Sequence, residues 1–107
     1  MIIYSVTVSI ENEISQEWLS WMQGTHIPEV MATGYFKGYA LQQILEPVVD
    51  PDRINYNVLY EVESQEVLDT YQQTVGPALQ RKHHERYGEN ALAIRVVMQR
   101  LAEGKKD

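Results

Sequence analysis

The fold is decided by residues 2–10, which read Ile-Ile-Tyr-Ser-Val-Thr-Val-Ser-Ile and largely alternate between apolar and small polar side chains. Successive side chains of a β-strand point to opposite faces, so this period of two predicts a strand with one dry face. Residues 54–63 alternate in the same way, with apolar positions at Ile54, Tyr56, Val58, Tyr60 and Val62. Together they predict a sheet that is covered on one face and leaves a more polar face open.

Two amphipathic helices are predicted around these strands. The first is capped by Ser15 and ends at Gly34, and the second is capped by Ser64 and ends at Gly88. The inward stripe predicted for the second helix consists of Leu68, Tyr71, Val75, Leu79 and Lys82.

Two more strands complete the pattern, at residues 35–46 and 91–101, and an Asp-Pro-Asp sequence marks a loop at residues 47–53. The order strand, helix, strand, strand, helix, strand is typical of the ferredoxin-like βαββαβ fold. We therefore predict a single α+β domain over residues 1–101, with a four-stranded antiparallel sheet and both helices on one face. Residues 102–107 form a charged C-terminal tail.

The composition limits the classes of function. A net charge of -6 leaves no basic surface for phosphate backbones, so nucleic acid is not an expected partner. The chain has no cysteine, which excludes disulfides, thiolate metal ligands and cysteine nucleophiles. Its opening residues lack the basic segment and the long apolar run of a signal peptide, so we expect a cytoplasmic protein that does not associate with membranes.

The most unusual segment is residues 18–34, where an apolar helix face carries ionisable side chains and is interrupted by Pro28. The residues that share this face, within about 60° of one another at 100° per residue, are Trp18, Met22, Thr25 and Glu29. His26 lies about 40° beyond Met22, so a histidine and a carboxylate are both predicted to face the core. Because Pro28 cannot donate a backbone hydrogen bond, we expect a kink that leaves a carbonyl acceptor beside His26.

Two interpretations of His26 and Glu29 are open. In the functional one, Glu29 orients the imidazole, and the pair performs acid/base chemistry or contacts a ligand. In the structural one, His26 is a helix-end residue that bonds the freed carbonyl or a neighbouring loop. Either way, burying these groups without partners is costly, so they are expected to be bonded or to face a wet cavity.

The His83-His84 pair, followed by Glu85, is a candidate metal site, since imidazole and carboxylate groups bind zinc or nickel. Adjacent side chains on a helix diverge by about 100°, so both imidazoles cannot reach one ion unaided. The basic residues around the pair fit a solvated helix end instead. We therefore expect no metal.

Several segments resemble the dimeric α/β-barrel superfamily. They are the opening strand at residues 1–10, Trp18-Leu19-x-Trp21-Met22, His26-Ile27-Pro28-Glu29-Val30-Met31, Gly34-x-Phe36 and the strand at residues 56–60. Within this superfamily the likeness is greatest to a small bacterial group classed as a domain of unknown function. The resemblance implies a homodimer in which two sheets face each other, with a pocket in each subunit between sheet and helices.

Relatives in this superfamily include quinone-forming monooxygenases, muconolactone isomerases, haem-degrading oxygenases and small-molecule-sensing regulator domains, so the fold leaves the function open. The haem-degrading relatives carry an asparagine on the first strand and a tryptophan on the third. This chain has Thr7 or Ser9 at the first place and no tryptophan beyond Trp21, so only the His83-His84 pair could correspond, to the haem-ligating histidine on the second helix of those relatives. Haem is therefore not implied, and no cofactor is expected.

These observations favour a homodimer that binds a small aromatic or apolar molecule without a cofactor, with His26 and Glu29 as the catalytic or orienting pair. The predicted ligand-binding residues, whose aromatic members fit a plain core equally well, are Trp18, Met22, Thr7, Tyr56, Asn57 and Tyr71. One alternative is a cofactor-independent monooxygenase or isomerase with His26 as general base and Thr7 or Asn57 holding an oxyanion. A second alternative is a structural interaction module.

Overall fold

The computed structural model describes residues 1–107 and contains one antiparallel sheet of four strands. The strands are β1 (Ile2–Glu11), β2 (Phe36–Ile44), β3 (Arg53–Val62) and β4 (Ala91–Gln99). Their order across the sheet is β2-β3-β1-β4, so the two central strands, β1 and β3, are the ones with the alternating sequence patterns. This arrangement, with helices on one face, confirms the predicted α+β ferredoxin-like fold. Residues 100–107 form no regular secondary structure.

Each predicted helix is divided into two parts. The helices are α1 (Ser15–Trp21), α2 (Ile27–Ala32), α3 (Gln65–Gln73) and α4 (Gly76–Tyr87). Ser64 caps α3 as predicted, because its hydroxyl accepts from the Val67 amide, and Gly34 ends α2 with a φ of 83°. Ser15 does not cap α1, because a short 3₁₀ turn precedes the helix and the Ser15 hydroxyl donates to the Asn12 carbonyl instead. Every helix is too short or too polar to cross a membrane.

A π-helical turn at Met22–His26 joins α1 to α2. The amide of Ile27 donates to the carbonyl of Met22, five residues back, so this turn holds one residue more than an α-helix would. Pro28 follows this turn directly and, because it has no amide hydrogen, cannot donate a hydrogen bond back into it. The expected interruption is therefore present as a widened turn.

The extra residue changes which side chains of this segment face the core. The inward residues are Trp18, Met22, Ile27 and Val30. Thr25 is exposed and Glu29 is only half-buried, so the prediction that both share the core-facing side is wrong. The prediction assumed 100° for every residue, and one additional residue in the π turn rotates everything after it relative to Met22.

The second helix is interrupted between α3 and α4, where Gly76 packs against Tyr71. A Cβ atom on Gly76 would lie 2.9 Å from both the ring and the carbonyl of Tyr71, so this close approach requires glycine. At this break the set of helix positions that face the core changes. The inward residues of α4 include Leu79, His83 and Tyr87, whereas Val75 and Lys82, which were predicted to face inward, are exposed.

The two faces of the sheet differ as the alternation predicts. On the helix-facing side, β1 and β3 contribute the buried residues Tyr4, Val8, Ile10, Tyr56, Val58, Tyr60 and Val62. On the open face, the Asn57 amide donates to the Ser5 and Thr7 hydroxyls and its oxygen accepts from Gln42. Strand β4 adds a row of exposed apolar side chains to this face: Leu92, Ile94, Val96 and Met98.

Candidate functional site

A cavity of about 40 Å³ lies between the helix-facing side of the sheet and the helices. We call it the inner cavity. This volume is enough for a water molecule or for one small group of a ligand. The lining side chains that carry polar groups are Tyr4, His26, Tyr60, Tyr71, Gln80, His83 and Arg95.

A wider depression of about 400 Å³ adjoins the inner cavity between α4 and β4. We call it the outer groove. Four residues line both spaces, namely Gln80, His83, Ala93 and Arg95. The inner cavity and the outer groove therefore adjoin one another, with the outer groove open to solvent.

His26 reaches the inner cavity from the π turn, and its ring stacks on Trp21 with centroids 4.9 Å apart. Its Nδ1 atom is buried and has no hydrogen-bond partner. Burial lowers the pKa of His26 to about 4, against a smaller opposing effect of Glu29, so the ring is neutral at pH 7. An unsatisfied buried nitrogen of this kind costs about 1 to 3 kcal/mol, which is unusual in a native protein.

Glu29 does not orient the imidazole. Its Oε2 accepts from the Lys82 ammonium at 2.8 Å on the outer side of the helices. The predicted hydrogen-bonded pair of His26 and Glu29 is therefore absent, and the shift in helix phase explains why. The structural interpretation fails as well, because His26 bonds neither a freed carbonyl nor a loop.

His83 is held by a buried hydrogen bond from Trp18, with 3.0 Å between Trp18 Nε1 and His83 Nε2. The indole nitrogen can only donate, so His83 Nε2 must accept, and we infer from this network that the proton of the neutral ring is on Nδ1. Burial and the neighbouring His26 lower the pKa of His83 to about 4. His84 is exposed, so the two adjacent imidazoles do not converge on one ion.

Two tyrosine hydroxyls contribute neutral donors to the same space. Burial raises the pKa of Tyr71 to about 12 and raises that of Tyr60 further. Both phenols therefore keep their protons at pH 7.

The inner cavity gathers some of the predicted ligand-binding residues and leaves out others. Met22, His26 and Tyr71 line it. Trp18 and Tyr56 lie in the core beside it, with ring centroids 5.0 Å apart, and do not line it.

Thr7 and Asn57 lie on the opposite face of the sheet, since they occupy odd positions of paired central strands. A ligand in the inner cavity cannot touch them and His26 together, so the oxyanion role predicted for them is wrong for this site.

Three residues of the site were missed or assigned another role. His83 was considered only as a metal ligand and as a counterpart of a haem-ligating histidine, and Gln80 and Arg95 were not singled out. The signal for His83 was its spacing from Leu79 and Tyr87, four residues each way, which marks one face of a helix. The signal for Arg95 was its odd position in β4, shared with Ala93, which places it opposite Val6 on the helix-facing side.

The neutral state of His83 makes stability depend on pH. The pKa is 6.5 for an unperturbed histidine and about 4 in the folded protein, so the unfolded state binds the extra proton first. We expect the neutral His83 ring to make its full contribution to the free energy of unfolding above pH 6.5. As the pH falls from 6.5 to 4, the free energy of unfolding should decrease by up to about 3 kcal/mol on account of this residue. Urea unfolding at a series of pH values measures this loss.

Two variants isolate the effect from the carboxylates that titrate in the same range. His83→Gln removes the titrating ring, so its unfolding free energy should fall less steeply between pH 6.5 and 4 than that of the wild type. His84→Gln removes an exposed ring and should leave the slope unchanged. Equal slopes for the wild type and His83→Gln would contradict the prediction.

Known structures share this fold over nearly the whole chain. HapK from Hahella chejuensis superimposes with a TM-score of 0.73 at 11% identity, covering 100% of this chain and 99% of its own. An antibiotic biosynthesis monooxygenase-like protein from Deinococcus radiodurans gives a TM-score of 0.65 at 13% identity, covering 100% and 98%.

A dimeric ferredoxin-like protein from an uncultured marine organism gives a TM-score of 0.64 at 11% identity, covering 96% of this chain and 98% of its own. Identities this low show a common fold and leave the activity open. No curated protein matches the sequence. A family profile matches residues 1–101, which contain every helix, every strand and both parts of the site, and the chain therefore belongs to the family described as domain of unknown function DUF4286.

Proposed function

We propose that this protein is a homodimer in which each subunit binds a small molecule with an aromatic or apolar body. A polar atom of the ligand enters the inner cavity and bonds His26 Nδ1, while the body lies in the outer groove. The observation that carries this proposal is the buried, unpaired Nδ1 at the wall of a cavity. Such a nitrogen is costly in a protein that only has to fold, and a ligand atom would satisfy it.

The sizes of the two spaces support this division of the ligand. The inner cavity measures about 40 Å³, whereas a cavity that holds benzene measures about 150 Å³. A ring therefore does not fit inside without side-chain movement. The outer groove, about 400 Å³, is in the range of small-molecule sites and has room for one.

Binding is favoured over the catalytic alternative by the state of His26. A general base works best when its pKa is close to the working pH, and burial holds the pKa of His26 near 4. The position of Thr7 and Asn57 on the other face also removes the oxyanion site that a monooxygenase or isomerase was expected to use.

The homodimer is supported by the open face of the sheet. Four exposed apolar side chains of β4 lie beside the polar network around Asn57, and no helix covers them. A continuous apolar strip of this kind marks an association surface. A self-complementary pairing of two such faces would bury the strip and leave the inner cavity outside the contact, while Leu92, which belongs to the strip and to the outer groove, would place the interface at the edge of that groove.

Replacing His26 by phenylalanine should separate binding from stability. The aromatic ring keeps the stacking on Trp21 and removes the unsatisfied nitrogen, so we expect the free energy of unfolding to rise by about 1 kcal/mol. The same change should abolish binding of 1,4-naphthoquinone, a neutral probe with two carbonyl oxygens that meets no cysteine in this chain. Urea unfolding and isothermal titration calorimetry measure the two effects.

His26→Asn is the matched control, because the asparagine amide places a polar atom on Cγ, the carbon that carries Nδ1 in histidine. This variant should retain part of the affinity that phenylalanine abolishes. A clearly lowered stability of His26→Phe together with unchanged affinity for the quinone would remove His26 from the proposed site.

A further inference from the structure

Arg95 and Arg81 are the two cationic side chains on the helices and strands that have no carboxylate within 4.0 Å, and of the two only Arg95 lines the proposed site. The net charge is -6, and most cations on the folded elements are paired with carboxylates, as Lys82 is with Glu29 and Arg86 is with Glu17. Arg95 is exposed and has no carboxylate within 4.0 Å. A guanidinium that stays unpaired among so many carboxylates is available to an anion from outside.

The position of Arg95 directs its charge to the proposed site. It lines both the inner cavity and the outer groove; no aspartate or glutamate lines the inner cavity, and Glu89 lines the outer groove. Burial is the main cause of the lowered pKa of His26 and His83, and the positive charge of Arg95 adds to it. For Tyr71 the same charge opposes the burial that raises the pKa. The field of Arg95 therefore reaches the groups that line the inner cavity.

His83 supplies a second donor at the same place. Its Nε2 is occupied by Trp18, so the donor that remains is Nδ1–H. Among the buried side-chain nitrogen and oxygen atoms, His26 Nδ1 alone has no hydrogen-bond partner. His83 Nδ1 has no partner either, but it is not one of those buried atoms, so it must be accessible to solvent. His83 lines the inner cavity and the outer groove together with Arg95.

We propose that the ligand is an aromatic carboxylate, whose anionic oxygens accept from His83 Nδ1–H and pair with the Arg95 guanidinium. This inference rests on the proposed binding function and adds its charge specificity. Trp18 acts as a positioning residue, because its indole fixes the His83 tautomer that donates. A fixed donor beside a guanidinium suits a carboxylate, which accepts several hydrogen bonds at once.

The test compares 1-naphthoate with 1-naphthamide, a neutral analogue of the same shape, by isothermal titration calorimetry. We expect the wild type to bind the carboxylate at least about tenfold more tightly, as one lost charged hydrogen bond predicts. Arg95→Gln should remove this preference, because it should weaken the binding of 1-naphthoate and leave the affinity for 1-naphthamide within about twofold of the wild-type value. Arg81→Gln is the matched control, because it deletes an exposed, unpaired cation of α4 that lies outside the site.

Arg81→Gln should leave both affinities unchanged. The proposed charge specificity would be overturned if the wild type bound the two probes equally well. It would also be overturned if Arg95→Gln and Arg81→Gln lost the same amount of affinity for 1-naphthoate. If the two probes bind equally and both depend on His26, the proposed binding function stands and only this inference fails. If neither probe binds, this inference fails, and the titration with 1,4-naphthoquinone alone decides the proposed binding function. A ¹⁵N spectrum of the histidines should also show His83 protonated at Nδ1 in the wild type, and protonation at Nε2 would remove the donor.

Discussion

Replacing Trp18 by alanine should lower the free energy of unfolding by about 3 to 5 kcal/mol, the usual cost of emptying a large aromatic site in a core. Trp18 is fully buried, stacks on Tyr56 and donates the hydrogen bond that holds His83. The change therefore removes packing and strands an acceptor at the same time. Urea unfolding at pH 7 followed by circular dichroism measures the loss.

Two phenylalanine variants separate the two parts of this effect. Trp18→Phe keeps most of the ring and deletes the donor, so the unpaired His83 Nε2 should cost about 1 to 3 kcal/mol. Trp21→Phe changes a half-buried indole that makes no hydrogen bond, and we expect a smaller loss. A loss below about 1 kcal/mol for Trp18→Ala would contradict the core position of Trp18.

Introducing a lysine at Val96 should convert the proposed homodimer into a monomer. Val96 lies on the open face opposite Ser5, within the apolar strip of β4. A pairing of two sheets would bury an unpaired ammonium there, at a cost of several kcal/mol, so the dissociation constant should rise at least about 100-fold. Sedimentation at micromolar concentration should give about twice the chain mass for the wild type and one chain for the variant.

Val97 offers a control of the same residue type one position further along the strand. It is 44% exposed, against 47% for Val96, but faces the helix side opposite Tyr4. Val97→Lys should therefore sediment like the wild type. A monomeric wild type, or equal behaviour of both lysine variants, would exclude the open face as the interface.

Much of the fold was predictable because it depends on local periodicity. The alternation in residues 2–10 and 54–63 identified the two central strands of the sheet and the face that each buries. The cap at Ser64 and the end at Gly34 are local signals as well, and both are present in the structure. These features need only the preferences of neighbouring residues, which the sequence carries directly.

The site was less predictable because two breaks in helical phase decide what faces the cavity. The π turn moved Glu29 to the surface, and the turn before Gly76 brought His83 inward in place of Lys82. At the second break Gly76 lies in close contact with Tyr71, five residues earlier. A uniform helical angle cannot anticipate these breaks, although it did identify His26 and Tyr71 as residues of interest.

The π turn gives the first helix two independent registers. Trp18 belongs to the register before it, and Ile27 and Val30 belong to the register after it, so the core is filled from both sides of the turn. His26 falls between the two registers; its ring stacks on Trp21, and it is not part of the buried hydrophobic cluster that fills the core. Related chains could therefore exchange this one side chain, and with it the group presented to a ligand, while the residues that build the domain stay as they are.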